Sequence, residues 1–335
     1  MICGKPNIFV VIIYYCTIAG MCIGMKIYLK KSEDKESKKI IPKTGQIVES
    51  KKSKKAKKRK IFIKKIIFVF GSFIIITISL FVHIFTGFEV NFLDVGQGDG
   101  IAIRTHDAFI TVDGGSSDVK NVGKYRIIPF IKYKGIRAID YAIISHLDND
   151  HVSGVRELLE QSDNGGIKVR NIVLPKLLNK DDEYVEMEKL AHAMGVEVLY
   201  LKNGDSIEAG PLKIKCINPD IKNQMDDRND NSTVLDVKYK NFSMLLTGDI
   251  SSEVENNIEK NLAQKYTVLK VPHHGSRFSS SENMLSKIEP KYSVISCGEG
   301  NSYGHPHIET IDRLNMHNTE ILRTDFIGEI DFRME

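Results

Sequence analysis

The sequence predicts an α/β body of two sheets packed face to face with helices on their outer faces, preceded by a transmembrane helical hairpin. Three observations carry that prediction. Two nearly uncharged apolar stretches close to the N-terminus flank a lysine-rich run. Beyond Gly87, short apolar runs alternate with amphipathic stretches, first as a strand meander and then with helices interspersed. The composition is that of a folded chain: 335 residues, 42% hydrophobic and 27% charged, with 25 Gly and 9 Pro. Five Cys in this length cannot form a dense disulfide framework, which excludes a small secreted scaffold.

Residues 8–25, IFVVIIYYCTIAGMCIGM, carry no charge, and residues 66–88 contain only His83 among titratable side chains. A membrane span needs about 20 apolar residues at 1.5 Å rise, so the second stretch is long enough and the first is marginal. With Lys5 before it, the first stretch also has the form of a signal-peptide core, and the second span keeps the chain anchored in either case. Between them, residues 26–65 hold 17 Lys+Arg against four acids, a net charge of +13. Such loops stay on the cytoplasmic side, so a two-pass topology in the cell membrane is expected, with the following domain outside the cell. The run KKSKKAKKRK is expected to be disordered and to meet anionic lipids. The expected organisation is therefore 1–25, first span; 26–65, basic loop; 66–88, second span; and 89–335, outer domain. Residues 66–335 carry a net charge of −10, which the overall +4 conceals.

In the outer domain, residues 90–95, 101–105 and 109–114 read as strands, with GQGDG as a tight turn between the first two. A buried strand over 141–146 leads to a helix over 152–161. Strands at 171–175 and 197–201 flank a helical stretch, EYVEMEKLAHAM. KIKCINP and the hairpin TVLDVKY–NFSMLLTGD follow, then strands at 267–272 and 293–298, a helix over 307–317 and the closing strands ILRTDF and GEIDF.

The most informative segment is SHLDNDHVSG, residues 145–154. His146, Asp148, Asp150 and His151 put four metal-ligating groups within six positions at a strand end, where imidazole and carboxylate can converge on one ion. An acid capping the following helix would explain Asp150 alone. Asp249 in LLTGD, His273 and His274 in VPHHGS, and His305 in YGHPH lie beyond three later strands. A turn residue would explain any one of them, but not the recurrence.

In this order, LDVGQGD, VDGG, HLDNDH, LLTGD, VPHHGS, YGHPH and RTD-x-x-G-x-I, the chain resembles the metallo-β-lactamase superfamily, and within it the extracellular hydrolase domain of ComEC-type DNA-uptake proteins. The resemblance covers about residues 89–335. It implies an αββα sandwich with two divalent metal ions at one edge of the sheets. One metal would be held by His146 and Asp148, the other by Asp150, His151 and His305, with Asp249 bridging. Asp113 in VDGG matches an acid that orients a ligand rather than binding metal. His273 or His274 matches a histidine near the scissile phosphate; the choice between them stays open, as does ligation by one of them in place of His305.

Three departures qualify the resemblance. Asp148 stands where the family commonly has His, and Asn231 where it has a third-motif His. Both changes favour harder ligands and make manganese as well as zinc a candidate. Two anchor helices cannot form the multi-helix channel of the uptake proteins, so a complete uptake role is not implied. Two divalent ions generate a nucleophilic water near neutral pH and clamp an anion, so the expected reaction is hydrolysis of a phosphodiester, with Asp150, His273 and His274 as its catalytic residues. The net charge of −10 argues against a basic DNA groove. Single-stranded DNA delivered by a competence-channel partner, a small phosphodiester, a lactone or a phosphorylated envelope component fit that charge, as does a tethered, non-catalytic interaction module.

Overall fold

The structure is a computed structural model that describes residues 8–36, positions 63, 66, 67 and 69–74, Phe85 and residues 87–334, apart from 162–165 and 263–264. The chain divides into two compact units near residue 85. In the first, α1 (Ile8–Glu36) covers the first apolar stretch and continues past Met25. Its Ile12, Ile13, Tyr15, Ile23 and Ile27 side chains are exposed. Among the described residues no helix is long and apolar enough to cross a membrane. KKSKKAKKRK and much of the second apolar stretch lie outside the described residues.

The second unit begins with β1 (Phe88–Phe92), β2 (Ile101–Arg104) and β3 (Phe109–Val112), an antiparallel meander. A π-helical turn and α2 (Ile128–Tyr133) cross over to β4 (Ala138–Ile143), which runs parallel to β3. Next come α3 (Asn149–Gln161), β5 (Lys168–Pro175), α4 (Asp182–Ala193) and β6 (Glu197–Leu201). The second sheet is built from β7 (Ser206–Ala209), β8 (Leu212–Asn218), β9 (Val234–Tyr239) and β10 (Phe242–Leu246), all antiparallel. It continues through α5 (Ser252–Ile258), β11 (Val268–Lys270), α6 (Glu282–Ile288), β12 (Tyr292–Ile295), α7 (Ile308–Met316) and β13 (Glu320–Arg323). After α8 (Thr324–Ile327), β14 (Ile330–Met334) returns to pair with β1.

The two seven-stranded sheets have the orders β14-β1-β2-β3-β4-β5-β6 and β13-β12-β11-β10-β9-β8-β7 among the described residues. Each is antiparallel on one side and parallel on the other, with the change at β3 and at β10. Three apolar clusters make the layers explicit. Between the sheets, Phe88, Val90 and Ile110 pack with Leu235, Val237 and Met244. The ring of Phe88 stacks on Tyr239 at 4.6 Å and joins the two faces. Outside the first sheet, Val152, Val155 and Leu159 of α3 join Tyr184 and Met187 of α4. Outside the second, Val254, Met284, Leu285 and Leu314 line the helices. This is the helix–sheet–sheet–helix layering the sequence predicts.

Local departures have physical causes. β4 ends at Ile143 rather than at residue 146 because Ser145 leaves the sheet: the Ile144 amide still donates to the Val173 carbonyl of β5, but the Ser145 amide donates to Asp113 Oδ1, and its carbonyl accepts from the Thr233 amide across the sandwich. α3 starts at Asn149, so Asp150 and His151 occupy its first turn. Thr324–Ile327 form a short helix where the strand ILRTDF was expected to continue.

Candidate metal centre

The site gathers where both sheets change from antiparallel to parallel pairing, at the carboxyl ends of the central strands. Chain connections diverge at such points and leave a crevice. Asp113 follows β3, residues 144–151 follow β4, Asp249 follows β10 and His274 follows β11. The GQGDG and VDGG turns pack against the start of α3. Asp99 N donates to the Asp150 carbonyl at 3.0 Å, and Gly114 N to the His151 carbonyl at 2.8 Å. A Cβ on Gly115 would lie 2.5 Å from His151 N, so only glycine permits this approach. GQGDG is thus more than a hairpin turn, because it braces the loop that presents the histidines. VPHHGS forms a single helical turn in which His273 (φ 49°) and His274 (φ 53°) are both left-handed. That conformation costs non-glycine residues on the order of 1–3 kcal/mol each and clusters at functional sites.

Three imidazoles share one arrangement. His151 Nδ1 donates to Asp113 Oδ2 at 3.0 Å, and His274 Nδ1 donates to the Ser296 carbonyl at 2.9 Å. His146 Nδ1 lies 3.1 Å from Ser145 Oγ and 3.3 Å from Ser232 Oγ. Each ring is thereby fixed through Nδ1 with Nε2 left over. The His146 and His151 rings lie 4.0 Å apart and those of His151 and His274 5.3 Å apart. Asp249 Oδ2 sits 3.3 Å from both His151 Nε2 and His274 Nε2, and Asp150 Oδ2 is 3.4 Å from His274 Nε2. All three Nε2 atoms and Asp249 Oδ1 are buried without a hydrogen-bond partner. Buried polar atoms are rarely left unpaired, and here they belong to metal-ligating groups facing one another, so the residues fit a divalent cation.

Electrostatics agree. Burial opposes charge on His274, but the carboxylates of Asp249, Asp99 and Asp150 outweigh it and push the imidazole up to about 10. His151 is likewise raised well above its ordinary value, against burial, by Asp249 and Asp113. Asp249 is held well below the usual carboxylate range by the same two imidazoles despite burial, and Asp150 is lowered against its burial mainly by His274. His146 is kept neutral by burial and by the neighbouring His151. Without a cation, protons on His151 and His274 supply the positive charge that the carboxylates require.

The structure therefore brings together His146, Asp150, His151, Asp249 and His274 of the residues singled out in the sequence, with Asp113 behind His151. His273 lies at the rim, a third exposed, with Nε2 4.0 Å from Asp249 Oδ2. His305 stands further off: its ring is 6.3 Å from that of His274, its Nδ1 is unpaired, and burial with the nearby histidines lowers it to about 4. Asp148 stands between the cluster and the rim: Oδ2 lies 3.8 Å from the unpaired His146 Nε2, the neighbour the resemblance gives it, and Oδ1 is 2.5 Å from Arg228 Nη1. Asn231 donates its side-chain amide to the Met225 and Asp227 carbonyls.

Residues 93–299 match the metallo-beta-lactamase superfamily. The chain belongs to that superfamily. Within this metallo-beta-lactamase fold, the similarity to ComEC-type competence proteins is borne out by three relatives. The chain is 31% identical over 262 residues to ComE operon protein 3 of Bacillus subtilis (strain 168), covering 73% of this chain and 33% of that protein. It is 30% identical over 241 residues to competence protein ComA of Neisseria gonorrhoeae, covering 71% and 31%. With recombination protein 2 of Haemophilus influenzae the identity is 29% over 244 residues, covering 72% and 28%. The chain thus spans about a third of the length of these relatives. Among solved structures, the metallo-beta-lactamase fold protein YhfI from Bacillus subtilis superposes with a TM-score of 0.50 at 11% identity, over 74% of this chain and 100% of that one.

Two buried residues beside the cluster carry little signal in the sequence. Asp99, which reads as a turn acid, is 1% exposed and groups with His151, Asp249 and His274, their ligand atoms within 4.8 Å of one another. Lys270, 1% exposed, places Nζ 2.8 Å from Asp99 Oδ2. Its only sequence signal is a lysine ending an otherwise apolar strand, TVLKVP.

Proposed function

We propose that this chain is a membrane-anchored, metal-dependent hydrolase that cleaves phosphodiesters outside the cell, through two divalent ions, manganese or zinc. The observation that carries the reading is the meeting of three Nδ1-anchored imidazoles and Asp249 in one buried cluster. When bound, the ions supply a nucleophilic water near neutral pH and neutralise charge on the phosphate. The chain's own part is orientation: Asp113, the Ser296 carbonyl and Ser145 fix the three rings. We assign to rim-exposed His273 the proton delivered to the leaving oxygen.

Kinship with competence proteins supports DNA as substrate and a competence-channel component as partner. The exposed apolar side chains of α1 support anchorage, and the basic loop supports contact with anionic lipids. The test is turnover by the full chain, reconstituted with manganese or zinc, on bis-p-nitrophenyl phosphate, single-stranded DNA and a lactone, against Asp249→Asn. Phosphodiester hydrolysis that needs metal and falls at least a hundredfold in the variant is expected. Turnover of the lactone alone would overturn the substrate assignment. Protection of the C-terminal domain from protease added to intact cells would overturn the orientation.

A second reading, a tethered module without turnover, is favoured by one observation: Asp148 is paired with Arg228 and Asn231 with backbone carbonyls, which thins the ligands around His146. Bound metal without hydrolysis of any of the three substrates would select it.

A further inference from the structure

Lys270 is the last residue of β11, and its ammonium has no solvent. It donates to its neighbour's carbonyl, that of Val271, at 3.0 Å and lies 2.8 Å from Asp99 Oδ2. Asp99 in turn sits behind two rings of the cluster, with Oδ2 3.7 Å from His151 Nδ1 and Oδ1 3.8 Å from His274 Nδ1. Those Nδ1 atoms already serve Asp113 and the Ser296 carbonyl, and neither Asp99 oxygen meets hydrogen-bond geometry with any group. The carboxylate is therefore compensated by the charge of the ammonium. Burial opposes that ammonium, and Asp99 with Asp249 keeps it protonated.

We propose that Lys270 is a built-in cation of the metal centre: by pairing with Asp99 it keeps this carboxylate out of the ligand set and weakens the hold on divalent ions. Four carboxylates, Asp99, Asp113, Asp150 and Asp249, are gathered around the cluster. With neutral imidazoles and Lys270 the group carries −3, so one divalent ion leaves −1 and a second leaves +1. Without the lysine, two divalent ions would be neutralised exactly in number and held more tightly. Lys270 is a positioning residue, acting through Asp99 and through its field.

The proposal rests on the cluster being a metal centre, and the experiment separates the two. Manganese binding to the EDTA-treated full chain is measured by titration calorimetry, with the melting temperature of the metal-free protein alongside, for wild type, Lys270→Met, Asp99→Asn and the double variant. A lysine that merely fills space would, on removal, loosen the site and weaken binding. A charge role predicts the opposite sign: Lys270→Met binds manganese at least tenfold more tightly, although its metal-free form melts on the order of 10 °C lower because a buried carboxylate loses its partner. Asp99→Asn weakens binding at least tenfold, and the double variant, with both charges gone, returns to within about threefold of wild type. If Lys270→Met does not fold, the last two variants decide. A double variant as weak as Asp99→Asn makes Asp99 a direct ligand and overturns the proposal, as does unchanged affinity in Asp99→Asn or weaker binding in folded Lys270→Met. Failure of the wild type to bind manganese would instead overturn the metal reading.

Discussion

Raising the pH from 6 to 8 should tighten manganese binding steeply, because cations and protons compete for the same nitrogen atoms. His274 is pushed up to about 10, so in the metal-free fold its ring holds a proton throughout this range, and Asp249 and Asp113 shift His151 in the same direction against its burial. Their Nδ1 protons are committed to Ser296 and Asp113, which leaves Nε2 as the atom that must be freed. Each displaced proton changes the apparent association constant about tenfold per pH unit. Two displaced protons give roughly 10⁴-fold over two pH units, and one gives roughly 10²-fold. Calorimetric titration in buffers of different ionisation enthalpy counts the protons directly, with at least one per manganese, from His274, expected at pH 7. An affinity independent of pH, with no proton released, would remove these imidazoles from the ligand set.

The same protonation has a consequence for the metal-free protein. A group whose folded pKa is raised contributes stability that is complete below its unfolded value, near 6.5, and lost as pH rises through the folded one, so urea unfolding in EDTA should show a loss on the order of 3 kcal/mol between pH 6.5 and 9.5; constant stability across that window would contradict the His274 assignment. Asp113→Asn removes the carboxylate that fixes His151 Nδ1, and manganese affinity is expected to fall about 10- to 100-fold with little change in secondary structure by circular dichroism. Gly115→Ala forces a methyl group to within 2.5 Å of the α3 backbone and should cost several kcal/mol in chemical denaturation, whereas the same change at Gly300, with open space around it but a positive φ, should cost only about 1 kcal/mol.

Much of the layering was legible because it follows from local pattern. The β1–β3 meander, the 8-residue β5 and the amphipathic α3 announce themselves by period and by turn residues. Elements of one or two turns did not: α5 and α6 span seven residues each, too few for a 3.6-residue period to stand out from the adjoining loops. HLDNDH was legible because four ligating groups fall within six positions, and Asp249 and His274 because each follows an apolar strand. What could not be read were pairings set by tertiary approach. Asp148 lies beside His146 as the spacing suggests, but its other oxygen meets Arg228 from a loop 80 residues further along the chain. Asp99 reads as a turn acid until the sheet brings Lys270 beneath it.

Anomalous diffraction from crystals of the full chain grown with manganese would locate the cation itself. A manganese peak is expected within bonding distance of Asp249 and of Nε2 of His151 and His274, with His146 Nε2 turned toward the same centre. Manganese bound elsewhere, or full-length crystals whose His151, His274 and Asp249 carry no anomalous signal at saturating manganese, would contradict it.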